Sequence, residues 1–316
     1  MFGRWRVAPL LVVLLLLAGC TIGRPGAADV RSGQQAAETG HSHPAGTGPH
    51  THGEKAESGA SSKAGPLLAS SELLVGPNRF VFGLVSTATG APISDVPEVD
   101  LQFFRLNADD TATKVGDAQP VYLGEGLPVG VYVTRATFDK AGRWGAIATI
   151  RPQGAAAYSV QMNFEVLADS PVPQVGEAAP PSRNLTSKDV KSLEEIDSGR
   201  PPNDMHDLTI EQAVRSGKPT LILFATPGYC ETATCGPDLE VAKALQAKHG
   251  GDANFVHIET PTSPQAPQVQ RPTVVEWGMR TEPWIFLVDA KGVVAERFEG
   301  GLTLAEVEPA FEKLLK

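Results

Sequence analysis

Apolar positions divide the chain into stretches of different character. An unbroken apolar run from Val7 to Leu17 gives way, from Thr21 to about Ala69, to Gly, Ala, Ser, Thr and Pro with scattered charges and few large apolar side chains. Such a stretch buries too little surface to offset its ordering entropy. Residues 20–69 are therefore expected to be a disordered tether with an r.m.s. reach of roughly 40 Å. Between Leu73 and Leu167 short β-rich runs follow one another: Arg79 to Ser86, Glu98 to Leu106, Val131 to Phe138, Gly145 to Arg151 and Tyr158 to Leu167. In the last of these, Val160, Met162, Phe164 and Val166 alternate with Ser159, Gln161, Asn163 and Glu165, the period of a half-buried antiparallel strand. No long helical period interrupts the series, so an all-β sandwich is expected over 70–168.

Ser170 to Thr186 carries Pro171, Pro173, Pro180 and Pro181 and opens a Pro-rich linker, 169–203, read as a semi-rigid connector between independently folded units. Beyond it, over 204–316, helix and strand patterns alternate. Leu208 to Arg215 reads as a helix capped near Asp207, and Leu221 to Ala225, between Pro219 and Pro227, suits a strand buried on both faces. Leu239, Val241, Ala242, Ala244, Leu245 and Ala247 have a helical period that ends at Gly250-Gly251, with Pro237 in the first turn. Asn254 to Glu259 is a strand, Thr260 to Pro272 is irregular, and Val274 to Gly278 is a short helix. Two strands, Trp284 to Val288 and Val293 to Phe298, flank a turn at Asp289 to Gly292, and a helix from about Leu302 to Leu315 closes the chain.

Charge and cysteine content place this architecture in a compartment. Arg4 and Arg6 precede the first apolar run, and Leu17-Ala18-Gly19-Cys20 ends it. The run is short for a membrane span, and the segment 1–19 resembles a bacterial lipoprotein signal peptide. That resemblance implies a mature chain beginning at a lipid-carrying Cys20, anchored to the cell membrane on its extracytoplasmic face, where disulfides persist. Loss of the signal removes two arginines and no acid, moving the formal charge from −9 to about −11. So acidic a chain argues against nucleic acid or anionic headgroups as partners, and the lipid must supply the anchoring. With 41% apolar residues there is material for two modest domains.

Two thiols then remain, Cys230 and Cys235. Cys235 falls at or just before a helix N-terminus, where unpaired N–H groups and the macrodipole favour a thiolate. Cys235-Gly236-Pro237, after a buried strand and before a helix, resembles the first three letters of the Cys-Gly-Pro-Cys of the thioredoxin superfamily. The family's last cysteine is Asp238 here. Cys230, following the aromatic Tyr229, equally matches the family's first cysteine, so the attacking sulfur is open. If the two cysteines pair, Glu231 to Thr234 cannot be regular helix, because positions five apart on a helix point about 140° away from each other. Asp238 and Glu240 put two carboxylates in the helix's first turn, where they oppose a thiolate at Cys235. Leu221 to Ala225 lacks the acid that thioredoxins bury in this strand. Thr281-Glu282-Pro283 before the next apolar strand resembles the family's cis-proline entry, which makes Pro283 the third site residue. The resemblance covers about Asp204 to Lys316 and implies an α/β thioredoxin-like C-terminal domain of the membrane-anchored redoxin type.

The remaining candidates are weaker. His41, His43, His50 and His52 form two His-x-His pairs in the tether, able to bind copper, nickel or zinc loosely. His257 lies within an apolar strand and is read as a satisfied core residue before a ligand. The sandwich segment holds neither histidine nor cysteine. Its stretches Gly130-Val131-Tyr132 and Ala141-Gly142-Arg143-Trp144 resemble immunoglobulin-like extracytoplasmic modules, with Tyr132 and Trp144 as core residues. Three functions follow. The first is a lipid-anchored thiol-disulfide oxidoreductase acting on protein thiols or disulfides without a cofactor. The second is a non-catalytic interaction module with a structural disulfide. The third is a copper-handling factor similar to the thioredoxin-like chaperones of cytochrome oxidase assembly. A disulfide closing so short a loop stabilises by only about 2 kcal/mol in the chain-entropy model, which favours the first.

Overall fold

The computed structural model describes residues 63–93, 97–109, 111–230, 234–261 and 269–316. The signal segment, Cys20 and His41, His43, His50 and His52 lie outside them. The described residues belong to one compact unit, and none of their helices is long and apolar enough to cross a membrane.

The N-terminal half is an all-β sandwich. Its strands are β1 (Ala64–Leu68), β2 (Gly76–Ser86), β3 (Glu98–Leu106), β4 (Ala112–Ala118), β5 (Val121–Leu123), β6 (Val131–Phe138), β7 (Gly142–Arg151) and β8 (Tyr158–Val166). They form two four-stranded sheets, β1-β2-β6-β5 and β4-β3-β7-β8. Every neighbouring pair is antiparallel. Alternation decides the inner faces. In β7, Trp144, Ala146, Ala148 and Ile150 are buried while Arg143 and Arg151 face water. Phe80, Phe103, Phe138 and Trp144 meet edge-on at centroid distances of 4.8 to 6.5 Å. The polar ends of the two large rings are satisfied, Trp144 by the Lys140 carbonyl at 2.9 Å and Tyr132 by the Pro97 carbonyl at 2.7 Å.

Three strands escape the sequence pattern for physical reasons, among them β5, a three-residue edge strand too short to show an alternation. β1 lies inside the stretch assigned to the tether. It is ordered by backbone pairing to β2 and by Tyr158, whose hydroxyl accepts from the Ala64 N–H at 2.6 Å and donates to its carbonyl at 3.1 Å. β4 is an edge strand whose side chains are largely exposed, so it has no apolar alternation to read.

The C-terminal half is α/β: α1 (Ile210–Val214), β9 (Thr220–Phe224), α2 (Cys235–His249), β10 (Asn254–Ile258), α3 (Pro272–Glu276), β11 (Trp284–Val288), β12 (Val294–Glu299) and α4 (Leu304–Leu314). The sheet order is β10-β9-β11-β12. β10 runs parallel to β9, and β11 is antiparallel to both β9 and β12. Every residue of β9 and β11 is buried. Leu221, Leu223 and Ala225 face a core with Leu239, Ala242 and Leu245 of α2 and Phe311 of α4. Ile222 and Phe224 face the other side, with Ile210, Ala213 and Trp277. The first helix starts two residues later than expected, because Thr209 and Gln212 form a reciprocal capping box.

The Pro-rich segment does not behave as a connector between independent units. Residues 176–179 run beside β12, with Gly176 N–H on Val294 O at 2.8 Å, Val294 N–H on Glu177 O at 2.9 Å and Ala179 N–H on Gly292 O at 2.9 Å. Val172, Ala179 and Ile196 are buried, and Ser182 Oγ accepts the Trp277 indole N–H at 3.2 Å. The paired residues Gly176 to Ala179 lie between Pro173 and Pro180, so no proline takes a ladder position. The two halves also share a polar seam. Glu72 pairs with Arg297 at 2.8 Å, Arg297 lies 5.3 Å from the Trp284 ring centre, and the Ser71 N–H donates to Glu299 at 3.0 Å.

Because Leu223 is wholly enclosed in this double-sided core, Leu223→Ala is expected to cost about 2–5 kcal/mol. Urea unfolding measures it, and a loss below about 1 kcal/mol would contradict the packing.

Candidate active site

The loop that leaves β9 starts from a strand end buried on both faces. Ala225 and Thr226 are fully buried, Pro227 and Gly228 turn the chain outward, Tyr229 is 47% exposed and Cys230 is half-buried. α2 begins at Cys235, which is enclosed by Leu221, Leu223 and Leu239. A disulfide joins Cys230 and Cys235 with Cα atoms 6.0 Å apart, so the bond spans the loop ahead of the helix. The Cys235 N–H donates to the Cys230 sulfur at 3.3 Å. The outer sulfur therefore meets the positive end of the α2 dipole, and the inner one is shielded beneath it.

Asp238 lies one turn beyond Cys235, and at i, i+3 the two side chains share a helix face. The sequence places this carboxylate as a charge opposing the thiolate. The structure corrects that expectation, because Asp238 is completely buried. Its Oδ1 accepts the Leu302 N–H at 2.9 Å, and its Oδ2 has no hydrogen-bond partner among the described residues. Burial pushes the carboxyl well above the usual range, against the Leu302 N–H and the Arg79 guanidinium, with Glu306 adding to the rise. Glu240, by contrast, is exposed and pairs with Lys243 at 2.8 Å.

The Glu282–Pro283 peptide is cis, and Pro283 is buried. Trp284 pairs with Phe224, so Pro283 lies across from the end of β9. Glu282 accepts hydrogen bonds from Thr226 Oγ1 and Thr260 Oγ1, each at 2.7 Å, binding the ends of β9 and β10 to the entry of β11.

A second polar group holds the cysteine loop from the other side. His257 donates through Nε2 to the Ala225 carbonyl at 2.9 Å, and its Nδ1 accepts from Asn203 Nδ2 at 2.8 Å. Burial, with His206 adding, lowers its pKa to about 4, so the ring is neutral at physiological pH. Asp197 accepts from the Asn203 amide and backbone at 2.7 Å each, from the Gly199 N–H at 2.7 Å and from His206 Nε2 at 3.1 Å. Ser198 donates to Glu259 at 2.5 Å and accepts the Gly228 N–H at 2.9 Å. A Cβ on Gly228 would fall 2.8 Å from Ser198 Oγ, so only glycine fits there. Asp197, Ser198 and Asn203 were invisible in sequence, sitting in the expected linker with no motif around them.

No family model and no curated protein matches this chain. Among solved structures, a protein assigned as the thiol:disulfide interchange protein DsbE of Chlorobium tepidum overlaps 46% of this chain and 99% of its own, at 16% identity and a TM-score of 0.32. A thioredoxin-family thiol:disulfide interchange protein from Chlorobium tepidum TLS overlaps 48% of this chain and 100% of its own, at 13% identity and a TM-score of 0.31. The fibronectin type-III domain of human fibronectin type III domain containing protein 3 overlaps 37% of this chain and 94% of its own, at 12% identity and a TM-score of 0.20. These are partial overlaps at low identity, and the chemistry of the site follows from its own geometry.

Two groups of described residues bring ligating atoms within 4.8 Å of one another. In Asp197, His206 and His257 those atoms already serve the hydrogen bonds above. In His249, Glu308 and Glu312 the Lys248 ammonium bridges both carboxylates, at 2.7 and 2.9 Å.

A carboxyl whose pKa is raised by folding stabilises the fold only while protonated, and that contribution is lost as pH rises from its unfolded value of about 4 through its folded one. Asp238→Asn cannot ionise, so its melting temperature is expected to gain on the parent progressively as pH rises above about 4. Calorimetry across that range reads the difference, and a constant gap would mean that Asp238 does not titrate anomalously.

Proposed function

We propose that this chain is an extracytoplasmic thiol-disulfide oxidoreductase, anchored through lipid on Cys20, in which Cys230 exchanges with protein substrates and Cys235 resolves. The observation that carries it is the asymmetry of the pair. Cys230 is the less buried of the two and receives the Cys235 N–H at the start of α2, whereas Cys235 is wholly buried. A structural bond needs neither feature.

In the reducing direction the Cys230 thiolate attacks a substrate disulfide, forming a mixed disulfide and expelling one substrate thiolate, which takes a proton from water. Cys235 then loses its proton and attacks the Cys230 sulfur, breaking the mixed disulfide and releasing the second substrate thiolate. Two electrons pass to the substrate and the Cys230–Cys235 bond forms. In the oxidising direction each step reverses, and Cys235 leaves as a thiolate. Asp238, on the same buried face, is the acid that protonates it, and as carboxylate it takes the proton back in the reducing direction. The exposed ring of Tyr229, beside Cys230, offers an apolar surface for a bound polypeptide.

The reduction potential of the pair, equilibrated against defined thiol-disulfide buffers, is expected between about −120 and −270 mV, and a value well below about −300 mV would make the bond structural and reject the proposal. In the same preparation Cys235→Ser is expected to accumulate mixed disulfides through Cys230, and Cys230→Ser to form none.

A further inference from the structure

The sandwich domain reaches the redox site through one side chain. Arg79 lies in β2 beside Phe80, Val81 and Phe82, yet it extends into the α/β half, and its side chain is only 6% exposed. Nε and Nη2 donate to the two carboxylate oxygens of Glu306 at 2.6 and 2.7 Å, Nη1 donates to Glu299 O at 2.6 Å, and Nη2 also donates to Gly301 O at 3.2 Å. That last acceptor is half of a peptide group. The other half is the Leu302 N–H, which donates to Asp238 Oδ1 at 2.9 Å. Guanidinium, peptide and carboxyl therefore form one hydrogen-bonded line from the sandwich to the acid beneath Cys235. A charged donor on a carbonyl polarises its amide and strengthens the bond that the N–H makes. The sandwich touches the same turn a second time. A Cβ on Gly301 would meet Leu127 of the β5–β6 loop and Thr234, the residue before Cys235, each at 3.2 Å.

We propose that the sandwich is a working part of the redox site, with Arg79 a positioning residue that sets the protonation of Asp238 through the Gly301–Leu302 peptide. The inference rests on the oxidoreductase reading and adds the regulation of its proton step. The groups bearing on Asp238 are few. Arg79 from β2 favours the carboxylate, and Glu306 from α4 favours the acid. β9 presents only Leu221, Leu223 and Ala225 to this core, α2 itself contributes the thiol of Cys235, and the Lys248–Glu308–Glu312 group lies about 15 Å along α2 at its far end.

The two charges predict opposite signs. In the full chain, the Asp238 carboxyl is followed by carbon-13 NMR, its signal identified by loss in Asp238→Asn. Arg79→Gln is expected to move its titration up by about one pH unit or more, and Glu306→Gln, which leaves Arg79 uncompensated, to move it down. Arg79→Lys keeps charge without the forked geometry and is expected to fall between parent and Arg79→Gln. A titration unmoved by either charge-removing variant, or moved the same way by both, would overturn the coupling. Should Arg79→Gln not fold, the downward shift in Glu306→Gln carries the test. The carboxyl is read directly, so the two readings fail separately. An inert disulfide with an Arg79-dependent titration would reject only the redox function, and a reactive disulfide with an Arg79-independent one would reject only the coupling.

Discussion

Strand β9 has no face to give to water, and that constraint organises the α/β half. Its odd and even side chains are claimed by two separate cores, so the strand can neither slip in register nor tilt without emptying one of them. The residues just past its end inherit that rigidity. The Ala225 carbonyl is held by His257, the Thr226 hydroxyl by Glu282 and the Gly228 N–H by Ser198, and the cysteine loop begins from these fixed points. Cys230 is therefore placed by the core as much as by its own bond to Cys235.

Two buried aspartates near this loop show how donors decide charge. For Asp197 burial favours the neutral acid, but hydrogen bonds from His206, Asn203 and Gly199 outweigh it and lower the pKa. Asp238 is the more deeply buried of the two and has one backbone donor, and there burial wins. The same side chain is thus held as an anion in one place and towards the neutral acid in the other. In the first case the carboxylate knits together the segment that precedes α1. In the second, an incompletely satisfied group sits one helical turn from Cys235.

The seam between the two halves belongs to this picture. Arg79 and Arg297 bring cations from opposite sides into largely desolvated surroundings, and each finds a carboxylate across the boundary. Removing one partner of such a pair strands the other, which ties the orientation of the halves to complete pairing. The Pro-rich segment along β12 adds backbone hydrogen bonds to the same region. A hinge is not what this connection provides.

Periodicity and spacing were enough to place most sandwich strands, the alternating α/β order, the buried strand Leu221 to Ala225 and the helix start at Cys235. Each is a local property, readable from neighbours a few positions apart. β1, β4, β5 and the strap at 176–179 were not readable, because backbone pairing orders them and their side chains carry no period. The site was legible as a pair of cysteines beside a helix. Asp238 was visible as a letter and read as a charge opposing a thiolate at Cys235, whereas burial disfavours its charge. Whether Asp238 faces water depends on α4, on the turn at Gly301 and on an arginine 159 positions earlier in the chain. The sequence by itself determined which chemistry is available, two thiols at a helix N-terminus. Only the tertiary structure decided which sulfur is the less buried, which carboxyl is buried and which distant charge bears on it, because desolvation and long-range electrostatics are properties of the assembled interior.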